Sequence, residues 1–233
     1  LMFPTAAADY LEYERFYLVD AIKDYIDAGL IRAYSINSVN KYSLLNRESH
    51  PGWKVEMLER YDHYIMEEVL PLIRNEAGDD AKPLTTGASL GAYLAANTYF
   101  KHSDQFRGTI AMSGSYDIYS YLDKGFFDDN VYFNNPTMYL RNMNDSHHLP
   151  NLQKADSIVI VTGQGELTES QIEHCEELSI PVASTNLDTY DAVIKMGHLV
   201  AKIDTQNKNK INRAIKLFEE HVDIARIIQL LED

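Results

Sequence analysis

Apolar residues along this chain fall into two rhythms that alternate through most of its length. Short runs dense in aliphatic and β-branched residues read as strands over 1–5, 31–37, 83–88, 108–112, 157–162 and 182–187. Between them, apolar positions recur every three or four residues, the spacing of one helix face. That pattern covers 10–28, where Asp9 is placed to cap the first turn and Gly29 to stop the last. It is clearest over 51–75, where Val55, Leu58, Tyr61, Ile65, Val69 and Leu72 share a face. Two further helices are predicted over 90–101 and 208–231. Strand–helix alternation of this kind predicts an α/β fold in a single domain over 1–233: a mostly parallel sheet with helices on both faces.

One stretch breaks the alternation. Residues 114–155 are rich in Tyr, Asp and Asn and are long for a connecting loop. Their place after a strand predicts a cap-like insertion over the strand C-termini, where α/β sheets bind ligands.

Composition narrows the partners. With 233 residues, 45% of them hydrophobic, the chain can bury a full core. Its net charge of −14 argues against nucleic acid, anionic membrane or a polyanionic substrate, all of which need clustered Lys and Arg. No run reaches the length of a membrane span and no signal peptide is visible. The opening Leu1-Met2-Phe3-Pro4-Thr5 reads as a strand already under way, so an upstream segment is expected. A lone cysteine, Cys175, excludes an internal disulfide and favours a reducing, cytoplasmic setting. The expected partner is a small molecule. The 16 tyrosines suit either a ligand pocket or sheet–helix packing, and Trp53 and Tyr116 could serve in either place.

The chemistry concentrates at Gly87-Ala88-Ser89-Leu90-Gly91. This G-x-S-x-G pentapeptide follows a predicted strand and opens a predicted helix, the setting of a nucleophile elbow. Glycines on both sides leave room for a serine held at strained backbone angles. The helix behind it directs its first amides and its dipole toward the space where an oxyanion would form. The Leu90 N–H supplies one such donor, and the loop after the first strand, at Ala6, is expected to supply the other. A serine hydroxyl also needs a base, and the base needs an orienting carboxylate. No organic cofactor or metal is implied, since the chain lacks H-E-x-x-H, paired cysteines and a G-x-G-x-x-G after a strand.

Extending the match makes it more specific. Residues 87–93 and 95–97, His102-Ser103-Asp104-Gln105-Phe106 and Ile110-Ala111-Met112-Ser113-Gly114 resemble the elbow region of the putative esterase family of α/β-hydrolases. That family includes esterase D, S-formylglutathione hydrolases, feruloyl esterases and mycolyltransferase antigens. Asp128-Asp129-Asn130-Val131-Tyr132-Phe133-Asn134-Asn135-Pro136 is similar to a segment of its bacterial members, and Val161-Thr162-Gly163-Gln164-Gly165 to the strand end that bears its acid. The resemblance runs through most of 1–198 in order and is weakest after Gly165. It implies the α/β-hydrolase fold and the chain order serine, acid, histidine. His198, in the loop after the last strand, then becomes the base, while His174 and His221 fall within helical patterns. Relatives place the acid three to four residues past the second glycine, which points to Glu169. Glu166 is nearer the strand end, and Asp188 and Asp191 lie further along.

Two departures stand out. Where the family often has His-Asp-Trp, this chain has His198-Leu199-Val200, and where it carries Ser-Gly-Gly, this chain has Ala6-Ala7-Ala8. The expected activity is a carboxylic-ester hydrolase working through an acyl-enzyme on Ser89. Acyl transfer and a non-catalytic binding protein on the same fold remain the alternatives.

Overall fold

Five parallel strands pair side by side in chain order: β1 (Met2–Phe3), β2 (Leu84–Ala88), β3 (Gly108–Met112), β4 (Ile158–Val161) and β5 (Val182–Ser184). The computed structural model describes residues 1–123 and 125–154 together with the backbone of 158–161 and 182–184. All of these belong to one unit of the chain, Leu1–Ala192. The other flank of β1 is occupied by Ser35, which bridges Met2 in parallel. From β1 the chain therefore moves outward to Ser35, crosses back over β1, and continues from β2 in the opposite direction. Strand order reverses between β1 and β2, and α/β sheets open a crevice at such a reversal, beyond the strand C-termini.

The elements nearest that reversal follow the sequence closely. Strand β3 and helix α6 (Leu90–Lys101) occupy the expected residues, and β2 begins one residue late. Helix α6 lies against β1, β2 and β3 and is buried on every side from Leu90 to Tyr99. Its outer side meets helix α4 (Pro51–Tyr64) and the stretch that follows β3. That stretch folds as a 3-10 turn (Ile118–Tyr121), α7 (Asp129–Phe133), α8 (Pro136–Tyr139), a second 3-10 turn (Leu140–Asn142) and α9 (His148–Gln153). It contributes Ile118, Leu122, Val131 and Leu152 to the same core as α4 and α6.

A buried polar network ties these layers together. Asn134, fully buried, accepts from Tyr93 through its carbonyl at 2.8 Å and donates from Nδ2 to Glu59 at 2.6 Å. Asn97 donates to Asn134 Oδ1 at 3.2 Å and accepts from Tyr139 at 3.0 Å, while Lys101 pairs with Glu59 and Asp62. Burying such groups is tolerable because these hydrogen bonds replace the lost water.

The structure departs from the sequence pattern in three places. The helix expected over 10–28 is three short ones, α1 (Glu12–Arg15), α2 (Leu18–Ala21) and α3 (Lys23–Asp27), with Tyr17 at φ 61° between the first two. Glu12 and Tyr13 are drawn to the end of β1 by hydrogen bonds, and that tertiary demand overrides helical continuity. Over 31–37 only Ser35 pairs with the sheet. The long helix is α4, a π-helical stretch (Ile65–Val69) and α5 (Leu70–Ala77). Pro71 cannot donate to the carbonyl four residues earlier, and the wider turn before it absorbs the defect. The extra residue shifts the phase, so that Leu70 and Ile73 are buried and Leu72 is turned out at 54% exposure. Among the described residues no helix is long and apolar enough to cross a membrane. The helix predicted over 208–231 lies outside them.

Candidate active site

Ser89 sits between the last residue of β2 and the first of α6 with φ 56° and ψ −125°. Such angles cost a non-glycine residue on the order of 1–3 kcal/mol and persist only where the surroundings impose them. Both neighbours do so here. The Ser89 N–H donates to Met112 O at 3.0 Å, extending the pairing with β3. Its carbonyl accepts from Ala92 and Tyr93 at 3.0 and 3.2 Å, opening the helix. One residue must serve a strand on one side and a helix on the other, and the turn between them is correspondingly sharp.

The two glycines of the pentapeptide make that turn possible. A Cβ on Gly91 would lie 2.2 Å from Phe3 O and 2.7 Å from Pro4 O, and one on Gly87 would lie 2.4 Å from Gly91 O. All of these obstacles are backbone. The glycines therefore let α6 press directly against the end of β1, and the side chain of Ser89 is left exposed. No side chain among the described residues hydrogen-bonds its hydroxyl. Leu90, at the first helical position, has an N–H with no intrahelical acceptor.

Across the crevice, the loop after β1 is held by side chains. Glu12, buried, accepts from Thr5 N at 2.6 Å and from Thr5 Oγ1 at 2.5 Å. The Ala6 carbonyl accepts from Ser38 Oγ at 2.7 Å and from Nδ2 of the fully buried Asn40 at 2.9 Å. Because the peptide is planar and trans, anchoring that carbonyl turns the Ala7 N–H to the opposite side. Ala6 takes a left-handed conformation at φ 41° despite its Cβ. The N–H groups of Ala6 and Ala7 find no acceptor among the described residues, and both residues are exposed. Tyr13 closes the floor, donating to Phe3 O at 2.5 Å, and burial pushes its phenol well above the usual range. Glu12, Ser38 and Asn40 gave no functional signal in the sequence, since each acts through the loop it holds.

Of the two candidate pocket aromatics, Tyr116 packs against Ala92, Ala96 and Ala111, and burial raises its phenol to about 12. Trp53 is 46% exposed on α4, with Arg60 stacked over its ring at 5.3 Å. The histidines that are described have other partners. His50 caps α4 through Nδ1, and His102 pairs with Asp62 at 2.9 Å at the far end of α6, roughly 18 Å of helix from Ser89. His63, His147 and His148 face Glu67, Asp104 and Asp145. His198, Glu169 and Glu166 lie outside the described residues, as do His174, His221, Asp188 and Asp191. No group of three or more His, Cys, Asp or Glu side chains among the described residues is arranged as metal ligands would be.

Comparison with known proteins bears on family and fold. The pattern of the family described as Putative esterase matches residues 18–211. Among solved structures, a ferulic acid esterase superposes with a TM-score of 0.55 at 18% identity, over 85% of this chain and 82% of its own. The fluorophosphonate-binding serine hydrolase FphF of Staphylococcus aureus superposes with a TM-score of 0.50 at 14% identity, over 86% and 82%. No curated protein matches the chain. Identities this low speak for a shared α/β-hydrolase fold, and the family match covers most of the chain.

Proposed function

This chain belongs to the putative esterase family and is a carboxylic-ester hydrolase, and we propose that it cleaves its ester through an acyl-enzyme on Ser89. One observation carries the proposal: Ser89 is held exposed at strained angles at the strand-order reversal, with its hydroxyl directed to no described side chain. Strain of this kind has little structural use and considerable catalytic use.

In this mechanism His198 removes the Ser89 proton as the oxygen attacks the ester carbonyl, and Glu169 holds the imidazole, with Glu166 as the alternative acid. The developing oxyanion is received by the N–H of Leu90 and by the loop amides at Ala6 and Ala7, which have no other acceptor among the described residues. The alcohol leaves with the proton from the imidazolium, and water, deprotonated by the same base, releases the acid. The choice of His198 is supported by the engagement of every described histidine elsewhere.

A fluorophosphonate probe tests this directly, because it labels serines that have a base and an oxyanion site. Stoichiometric labelling at Ser89 is expected, abolished by Ser89→Ala and strongly reduced by His198→Ala, with His174→Ala and His221→Ala unaffected. Labelling that survives His198→Ala would assign the wrong base. A folded protein that takes up no label would be a binding scaffold.

A further inference from the structure

The segment after β3 forms an open groove of about 430 Å³ lined by Asp117, Tyr119, Thr137, Met138, Arg141 and Asn142. That volume falls within the range of small-molecule sites. Most of its polar walls are committed to one another. Asp117 Oδ1 accepts from Tyr119 N and from Nδ2 of the buried Asn135, both at 2.9 Å. Thr137 donates to Asn135 Oδ1 at 2.7 Å, and Asn142 Nδ2 donates to Met138 O and the Tyr132 hydroxyl at 3.2 Å. The Arg141 guanidinium is not so committed: it is exposed and has no ion pair or hydrogen bond among the described residues. In a chain with 35 acidic and 21 basic side chains, a guanidinium left unpaired in a groove is available to a ligand.

Tyr116 links the groove to the elbow. Thr137 N donates to Tyr116 O at 3.4 Å, and the Tyr116 ring packs against Ala92, one helical turn from Ser89.

We propose that this groove binds a carboxylate carried by the substrate, so that the enzyme prefers esters bearing a free carboxylate group. The proposal rests on the ester-hydrolase function of Ser89 argued above. A planar carboxylate matches the two-pronged guanidinium, and Tyr119 and Met138 offer apolar surface to the body that carries it. A phosphate dianion fits less well, because the Asp117 carboxylate shares the groove and repels a doubly charged group.

Two pairs of esters test it: 4-acetoxybenzoate against 4-tolyl acetate, with the charge on the alcohol part, and monophenyl succinate against phenyl butyrate, with the charge on the acyl part. The readout is the ratio of kcat/KM for the charged ester to that for its neutral partner, which cancels differences in intrinsic reactivity when variants are compared. Arg141→Met should lower this ratio at least tenfold in one pair, through KM, and Arg141→Lys should lower it less. A ratio unchanged in both pairs would overturn the proposal. If the wild-type protein hydrolyses none of the four esters, the ester-hydrolase mechanism fails, and calorimetry with 4-hydroxybenzoate decides the groove alone. Saturable binding weakened tenfold or more by Arg141→Met would sustain the carboxylate site, and no binding by wild-type protein would overturn it.

Discussion

The two walls of the crevice reach unusual backbone angles by opposite routes. At the elbow, Ser89 is strained and its neighbours Gly87 and Gly91 supply empty space, so that strand, turn and helix collapse onto one another. At the facing loop, Ala6 is also in a left-handed conformation, yet no glycine is present, and the shape is imposed by Glu12, Ser38 and Asn40. The first wall is made by omission of side chains and the second by side chains that reach in from elsewhere. Removing atoms can therefore harm the second wall, whereas adding atoms harms the first.

Chemistry at the elbow should give the largest response. Ser89→Ala removes the proposed nucleophile and should lower kcat for a simple aryl ester on the order of a millionfold with the melting temperature nearly unchanged. A loss under a hundredfold in a pure sample would place the chemistry elsewhere.

Next is Gly91→Ala, where the added methyl meets two backbone carbonyls that have no rotamer to yield. Overpacking of this kind costs about 3 kcal/mol, which thermal unfolding would register as a drop of roughly 6–12 °C in Tm. A variant as stable as the wild type would mean that α6 can slide away from β1.

On the facing wall, Asn40→Ala withdraws one of the two donors to Ala6 O. A cost of about 1–3 kcal/mol is expected in stability. If the loop amides receive the oxyanion, kcat should fall by roughly ten- to a hundredfold with KM little changed, because the lost contact matters most in the transition state. An equal fall in kcat for a distant core substitution of the same stability cost would show that destabilisation, and not loop positioning, lowers the rate.

The smallest effect belongs to Ala6→Gly. Glycine relieves the left-handed strain of Ala6 by about 1 kcal/mol and returns most of it as unfolded-chain entropy. A rise in Tm of roughly 1–2 °C is expected. A fall would show that the Ala6 methyl packs in a way its exposure hides.

What could be read from the chain tracks how local each cause is. The elbow was legible because its requirements, a strand, two glycines around a serine and a helix, lie within a few residues of one another. Helix α6 and strand β3 were legible for the same reason. The buried face of the helix predicted over 51–75 followed from helical spacing up to Val69 and failed at Leu72, where Pro71 and the π-helical stretch changed the phase. The breakage of 10–28 into three helices had no local sign, because the pull on Glu12 and Tyr13 comes from Thr5 and Phe3 at the end of a strand.

By itself, the sequence determined the α/β alternation, the position of the strained Ser89 turn and the family to which the chain belongs, because backbone sterics and hydrophobic periodicity act over short spans. Tertiary structure alone decided that three alanines, Ala6-Ala7-Ala8, could shape this loop without a glycine, since the holding groups come from positions as far as Asn40. It also decided that the Asn-rich segment 128–136 would lock α6 to α4 through Asn134 and that Arg141 would face an open groove. Those outcomes depend on which groups meet after the chain has crossed itself, and a hydrogen bond between distant residues leaves no periodic trace in either of them.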